Sequence, residues 1–235
     1  MNKDLSIEYI KNQLRKKATC FKTGGIRPTN ALGESWFGKV AWQLPTDIWP
    51  QDDSGKRMIP LATIFLEGLD YVPDALKNIK LITIYLNNNW RDTLCDYDTF
   101  TKSFIIRTYE SLTELSYCNH TEEIIKPFPL VPYMVENDFP MWEDIDHDIF
   151  ETICQMEKKY NINYYDDIFE ENDINHKLGG YPSVIQSGVG YSEGFEYVLQ
   201  ISSDEKANFN IVDGGNFYFG YNPQTKEWAV RCDFY

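Results

Sequence analysis

The sequence contains no apolar run approaching the roughly 20 residues that a membrane-spanning helix needs, and its start lacks the apolar core of a secretory signal. Its five cysteines are odd in number, scattered and without a Cys-x-x-Cys pair, which argues against a disulfide framework or a structural zinc site. The three histidines show no recognised ligand spacing either. We therefore expect a soluble cytoplasmic protein with reduced thiols and no metal or cofactor.

Basic residues are also scarce. The chain has 22 Lys and Arg against 36 Asp and Glu, a net charge of −14. Residues 136–173 alone carry 13 acidic residues against Lys158 and Lys159, a net charge of −11. Such a field disfavours nucleic acid and anionic membranes as partners, and it speeds the encounter with a basic protein. The alternative is a solvated helix face that keeps an acidic protein soluble.

The composition favours a sheet-rich fold with a substantial core, since 43% of the 235 residues are hydrophobic and 15% are aromatic. The spacing of apolar residues predicts an amphipathic N-terminal helix over residues 6–18, with Ser6 as its cap. The same spacing predicts an acidic helix over residues 145–160, with Asp144 as its cap.

Short β-prone runs between turn signals predict strands, most clearly over residues 62–66, 81–86 and 104–109. We expect one α+β domain over residues 1–235, built mainly on antiparallel sheet with a few helices. Its predicted parts are an N-terminal helical segment (1–22), a first β-rich half (about 35–110), an acidic helical insert (136–173) and a second β-rich half (176–235).

A turn followed by two strands occurs twice in the chain. The strand centres are 18 residues apart in each copy, Ile64 to Ile82 and Leu199 to Phe217. Equal spacing predicts an internal duplication, because a turn and two strands cannot close a core alone. Chance similarity among short apolar runs is the alternative. The turns before the strands are residues 35–39 and 176–180.

The most informative motif is a bend that follows the acidic insert and is closed by Gln186. Glycine tolerates positive φ and close approach of another chain, while proline fixes its own φ and pushes the preceding residue toward an extended conformation. The motif therefore predicts a shaped turn that presents a histidine together with Gln186. Its residues are His176, Lys177, Leu178, Gly179, Gly180, Tyr181 and Pro182.

This segment is similar to the His-Lys-x-Gly-Gly-Tyr-Pro signature of the YwqG-like family of bacterial proteins. Residues 198–204 resemble the family's Leu-Leu-Gln-Ile-Asp strand, residues 213–219 its Gly-Asp-x-Gly strand entry, and residues 35–61 its first motifs more loosely. The resemblance implies a single α+β domain on antiparallel sheet with internal duplication. It implies no established activity and supplies no catalytic residue.

The first functional hypothesis is a non-catalytic binding protein whose acidic insert holds a basic partner. An immunity or antitoxin-type protein that neutralises a basic toxin would fit this charge pattern. The acidic side chains predicted to contact the partner are Asp144, Asp146, Asp148 and Glu151. The sequence does not indicate an oligomeric state.

The second hypothesis is a small-ligand-binding protein or enzyme centred on the His176 turn. Backbone N–H groups of a glycine turn can approach a ligand, and His176 with Asp213 would form an acid and base pair. A histidine in such a turn more often locks the loop, so a structural role is the stronger interpretation of His176. The residues assigned to this site are His176, Gly179, Gly180, Tyr181, Pro182, Gln186, Gln200 and Asp213.

Overall fold

The computed structural model describes residues 3–121, 124–186 and 188–235. Its α-helices are α1 (Lys3–Leu14), α2 (Tyr97–Lys102) and α3 (His147–Tyr160). Its strands are β1 (Lys16–Thr23), β2 (Trp36–Phe37), β3 (Lys39–Gln43), β4 (Ile59–Phe65), β5 (Leu81–Leu86), β6 (Phe104–Tyr109), β7 (Ser116–Thr121), β8 (Phe128–Asp138), β9 (His176–Gly179), β10 (Glu196–Ser202), β11 (Asn216–Asn222) and β12 (Glu227–Asp233).

Ten of these strands form one sheet in the order β12-β11-β10-β9-β1-β8-β2-β4-β5-β6, while β3 and β7 pair separately. Every pairing between these strands is antiparallel. The predicted α+β class with mainly antiparallel sheet is therefore confirmed. Strands β5 and β6 have the predicted bounds, and β4 is shifted a few residues toward the N-terminus of its predicted range.

The sheet has two similar arms on either side of the central pair β1 and β8. One arm runs outward as β2-β4-β5-β6 and the other as β9-β10-β11-β12. Ile64 lies opposite Ile82 in the first arm, whereas Leu199 lies opposite Phe219 in the second, two residues from the Phe217 centre. This symmetry of strand order is the arrangement that an internal duplication would produce.

The sheet curls so that its two outer edges meet. The ring of Phe104 on β6 lies 5.1 Å from Phe217 and 5.5 Å from Phe219 on β11, measured between centroids. The Thr101 hydroxyl on α2 accepts a hydrogen bond of 3.0 Å from the backbone N–H of Val230 on β12. The large apolar core therefore lies between the arms, inside a barrel-like sheet.

The N-terminal helix is shorter than predicted and Ser6 does not cap it. The helix ends at Leu14, Ser6 is buried within it, and residues 16–23 form β1 instead. Strand β1 pairs with β8 on one side and β9 on the other, and its middle residues are buried. Pairing with these two distant segments outweighs the weak helical pattern of this stretch, because it satisfies the backbone groups of a central strand.

The acidic insert contains helix α3, close to the predicted range. Asp146 rather than Asp144 is its cap, and the Asp146 carboxylate accepts a hydrogen bond of 3.0 Å from the N–H of Asp148. Asp144 lies in the preceding helical turn, Trp142–Asp144. The apolar faces of α1 and α3 share a second, smaller core with Phe139 and Tyr164.

No helix in the described ranges has both the length and the apolar character that a membrane crossing requires.

Candidate functional site

The signature segment begins as a central strand and bends only after it. Residues His176–Gly179 form β9, which lies between β1 and β10. The bend follows at Gly179 and Gly180, with φ of 74° and 64°. The predicted turn therefore exists, but it does not present His176 beside Gln186, whose side-chain amide donates to the backbone carbonyl of Phe234.

His176 is buried and holds two segments of the second arm. Its Nδ1 accepts a hydrogen bond of 3.1 Å from the N–H of Ser202, and its Nε2 lies 3.5 Å from the Asp204 carboxylate. Burial by itself would raise the pKa of Asp204, but its hydrogen bonds, above all that from His176, hold the pKa well below its ordinary value. The carboxylate beside His176 is Asp204 rather than the Asp213 of the acid and base alternative, and Asp213 lies exposed in a turn.

Lys177 and Asp138 form an ion pair that the sequence reasoning missed. The Lys177 ammonium lies 3.2 Å from both carboxylate oxygens, and both side chains are 0% exposed. Burial lowers the pKa of Lys177 and raises the pKa of Asp138, while their mutual attraction opposes both shifts. Asp138 also accepts hydrogen bonds from the N–H groups of Tyr181 at 2.6 Å and Asp173 at 3.2 Å.

The glycines of the signature make room around this ion pair. A Cβ at Gly180 would overlap the Asp138 carboxylate, and one at Gly179 would stand 2.6 Å from the ring of Tyr71. Tyr181 continues the packing, since its hydroxyl donates a hydrogen bond of 2.7 Å to the carbonyl of Leu14. These contacts explain why the segment combines a lysine, two glycines and a tyrosine.

Ser183 connects the buried pair to a surface groove. Its hydroxyl lies 2.5 Å from the side-chain oxygen of Asn172 and accepts a hydrogen bond of 3.3 Å from Lys177. Gln200 fixes the same segment, because its side-chain oxygen accepts a hydrogen bond of 2.8 Å from the Ser183 N–H. The Gln200 amide in turn donates to the Ser202 hydroxyl at 3.1 Å. Gln200 and His176 therefore both bind Ser202, one at its side chain and the other at its backbone N–H.

The groove consists of two adjoining cavities that share Ser203 and Gly214. The first has a volume of about 420 Å³ and the second of about 520 Å³. One wall of the first cavity comes from the acidic insert and the residue that follows it, and the opposite wall from the second arm and the C-terminal segment. The insert side contributes Met141, Phe169, Asn172 and Ile174, and the other side Ser183, Val184, Ile185, Ser202, Asn216 and Tyr235.

The groove differs in character along its length. Ile174 and Tyr235 beside the first cavity are 72% and 82% exposed, among the most exposed large apolar side chains of the described residues. The second cavity carries the carboxylates of Glu205 and Asp213. Within the described part of the chain, no lysine or arginine lines either cavity. The site therefore combines an apolar rim with negative charge.

The four predicted partner-binding carboxylates do not share one surface. Asp146, Asp148 and Glu151 are exposed at the start of α3. Asp144 is half-buried, accepts a hydrogen bond from the N–H of Val189, and has one carboxylate oxygen without a hydrogen-bond partner among the described residues. Burial raises the pKa of Asp144 to about 6. Asp144 thus joins the insert to the loop before β10 and is poorly placed to contact a partner.

The sequence pattern indicates the residues around the bend, but it does not indicate the groove or the role of Asp138 as the partner of Lys177. Asp138 ends a strand in an acidic stretch, and nothing local distinguishes it from the exposed acidic residue Glu136. A lysine inside an otherwise apolar, glycine-rich signature was the available signal, because a buried lysine requires a charged partner.

Comparison with known families gives one match. The model of a family described as Domain of unknown function (DUF1963) matches residues 41–225. This range covers most of both arms and the acidic insert. No curated protein matches the chain.

Proposed function

Because the chain belongs to the DUF1963 family, a domain family of unknown function, no activity comes with its family, and we propose from its geometry that it is a non-catalytic binding protein for a positively charged partner protein. The observation that carries this proposal is the groove. Two acidic residues, Glu205 and Asp213, line the second cavity, and no lysine or arginine of the described ranges lines either cavity. The acidic insert lines the first cavity with uncharged side chains and carries its carboxylates on the adjacent surface. Complementary charge steers such a partner and selects against acidic ones.

The exposed start of α3 extends the negative surface of the insert. Asp146 and Asp148 lie in or before the first helical turn, and Glu151 follows one turn later. Glu151 lies 3.9 Å from the exposed His147, and among the described residues none of the three carboxylates forms an ion pair with a lysine or arginine. They supply long-range attraction that ionic strength screens.

The arrangement of the signature residues supports a non-catalytic role. His176 and Lys177 are buried, each has a carboxylate partner, and neither lines the groove. A general acid or base must reach the proton that it transfers, directly or through one water. The interior position of both side chains therefore favours a structural role for the turn over the enzyme hypothesis.

Charge reversal tests the proposal. Lysates of the source cell are passed at low salt over immobilised wild type, over a variant with Asp146, Asp148 and Glu151 changed to Lys, and over a control with Asp53, Asp70 and Asp92 changed to Lys. Both variants change the net charge equally. We expect a basic protein that wild type and the control retain, that the insert variant loses, and that moderate salt releases. Equal retention by both variants would exclude the insert as the contact.

The finer expectations of the sequence belong to this proposal. An immunity or antitoxin-type protein that neutralises a basic toxin is the biological form that fits an acidic binding surface without catalytic groups. A cytoplasmic location agrees with five cysteines that are all unpaired. The closer likeness to YwqG-like proteins rests on the His176–Pro182 signature and the motifs of the second arm.

A small ligand in the first cavity is the second candidate function. Its volume of about 420 Å³ lies in the range of ligand pockets, roughly 300 to 1,000 Å³. Its lining combines polar residues, Ser183 and Asn216, with apolar ones. Thermal-shift screening of metabolites would test it: a hit whose stabilisation disappears on Ile185→Asp substitution in the cavity wall supports the candidate, and a hit that persists in this variant opposes it.

A further inference from the structure

We infer that the groove holds an extended segment of the partner in which an apolar side chain lies close in sequence to a lysine or arginine. The apolar side chain occupies the first cavity, and the cationic side chain occupies the second. This inference rests on the proposed function and deepens it, because it names the chemical pattern that the partner presents. The acidic insert then attracts the partner from a distance, while the groove recognises one short segment.

The apolar half of the inference comes from Ile174 and Tyr235. Both line the first cavity, and both expose most of their side-chain surface, 72% and 82%. Met141 and Phe169, which are partly buried, line the same cavity. Removing apolar surface from water lowers the free energy of the system. Exposed apolar residues gathered at one cavity are typical of a surface that a partner covers.

The cationic half comes from Glu205 and Asp213. Both carboxylates line the second cavity and are exposed, and neither forms an ion pair with a described lysine, arginine or histidine. Lys206, the cation next in sequence to Glu205, instead donates a hydrogen bond of 2.7 Å to the carbonyl of Thr23. The Arg91 guanidinium donates a hydrogen bond of 3.0 Å to the carbonyl of Asn210, which lines the same cavity, but it forms no ion pair with either carboxylate. Carboxylates that lack an ion-pair partner attract an external ammonium or guanidinium group.

The turn that carries Asp213 is held in a fixed shape. Val212 and Asp213 have φ of 31° and 45°, in the left-handed region that a β-branched residue such as valine rarely adopts. The Gly215 N–H donates to the Ile211 carbonyl at 2.6 Å, and the Gly214 N–H donates to the side chain of Asn210 at 2.9 Å. A carboxylate on a preformed turn loses little entropy when it binds a cation.

The two cavities adjoin each other, which favours a chain segment over a free amine. They meet at Ser203 and Gly214, so one occupant of sufficient length contacts both. Their volumes, about 420 and 520 Å³, exceed what a single amine-bearing side chain fills. A peptide spans both, with one side chain in each.

A displayed library of random octapeptides, selected on the purified full-length protein at low salt, tests the inference. We expect enrichment of sequences with an aromatic or large aliphatic residue within a few positions of Lys or Arg. An enriched peptide is then synthesised with its basic residue as arginine and as citrulline, which keeps the shape and removes the charge. Its affinity is measured for wild type and for the variant with Glu205→Gln and Asp213→Asn.

The effects on affinity of citrulline in the peptide and of the Glu205→Gln and Asp213→Asn changes in the protein should not be additive. For wild type, citrulline should weaken binding about tenfold, which corresponds to about 1.4 kcal/mol; for the Gln and Asn variant, the two peptides should bind within about twofold of each other. Changing the apolar residue of the peptide to alanine should likewise weaken binding to wild type. The same change should have little effect on binding to the variant with Ile174→Ser and Tyr235→Ser. All four positions are at the surface, and unchanged melting temperatures would show that the variants fold.

Three outcomes would overturn the inference. One is an equal citrulline effect in wild type and variant, which would place the cation elsewhere while the proposed basic partner stands. A second is N-acetyl-arginine amide binding as tightly as the peptide, which would make a small amine the occupant. The third is that neither basic peptides nor a basic protein bind, in which case the proposed function fails as well.

Discussion

Lys177 and Asp138 face each other in the interior, 39 positions apart in sequence, with the ammonium nitrogen 3.2 Å from both carboxylate oxygens and neither side chain exposed. The pair joins the end of β8 to β9, across β1. Removal of one partner from such a pair leaves a buried charge without compensation, which costs more than the pair itself contributes. The pair therefore makes the signature segment depend on a residue of the acidic insert.

We expect Lys177→Met to lower the free energy of unfolding by about 3 to 5 kcal/mol. The double variant Lys177→Met with Asp138→Asn should recover part of this loss, because the asparagine amide is uncharged and still has an oxygen for one of the two N–H donors. Denaturant unfolding measures both. Lys80→Met, which breaks the exposed ion pair with Glu67, is the control and should cost about 1 kcal/mol or less. Equal losses at both lysines would contradict this account.

Gly180→Ala should destabilise the protein more than Gly25→Ala. Both glycines have positive φ, 64° and 88°, so both substitutions carry a left-handed backbone cost of about 1 to 2 kcal/mol. A Cβ at Gly25 has no heavy atom within 4 Å, whereas one at Gly180 would overlap the Asp138 carboxylate. The difference between their unfolding free energies measures the disturbance of the ion pair. A difference of zero would mean that only backbone conformation matters.

His176→Ala should lower stability without changing the affinity for the basic partner. The substitution removes the acceptor of the buried Ser202 N–H, and an unpaired buried group costs about 1 to 3 kcal/mol. Thermal unfolding measures the loss, and partner affinity is measured well below the melting temperature. A large loss of affinity in a folded variant would instead assign His176 to the binding site.

Asp144 should make stability depend on pH between about 4 and 6. Its folded pKa is raised to about 6 from 3.8, so the folded state takes up a proton before the unfolded chain does. The cost of its buried charge is therefore fully present above pH 6 and disappears as the pH falls through 6 toward 4. Relative to Asp144→Asn, wild type should gain about 1 to 2 kcal/mol over this fall, after allowance for partial exposure.

Unfolding free energies of wild type and Asp144→Asn, compared at each pH, isolate this contribution from those of other carboxyl groups. Asp53→Asn, which removes one carboxylate at an exposed position, is the control. A difference between wild type and Asp144→Asn that stays flat over this range would show that the Asp144 carboxyl does not titrate there.

Local pattern predicted the outer strands and the acidic helix well. Strands β5 and β6 were predicted at their bounds because each is a short β-prone run between turn signals, and α3 because its apolar residues repeat with the helical period. The equal spacing of strands in the two halves anticipated the two arms of the sheet. These features depend on interactions between residues near each other in sequence.

The first strand and the partners of the signature residues could not be predicted in this way. Residues 16–23 continue a weak helical pattern, and only their pairing with β8 and β9 makes them a strand. Asp213 was a possible neighbour of His176 because both lie near strands of the second half, but the carboxylate beside His176 in the folded protein is Asp204. A shift of strand register changes which side chains meet, and no local signal sets it.

The amino-acid sequence by itself determined the sheet-rich class, the family, the acidic insert and the segment that bends at Gly179 and Gly180. Composition and short-range periodicity suffice for these, because they act within an element. Tertiary structure alone decided that Lys177 is enclosed with Asp138, that Asp144 is half-buried, and that the insert meets the second arm to form a groove. Each depends on burial and on contacts between distant segments, which exist only after the sheet has curled and its arms have packed together.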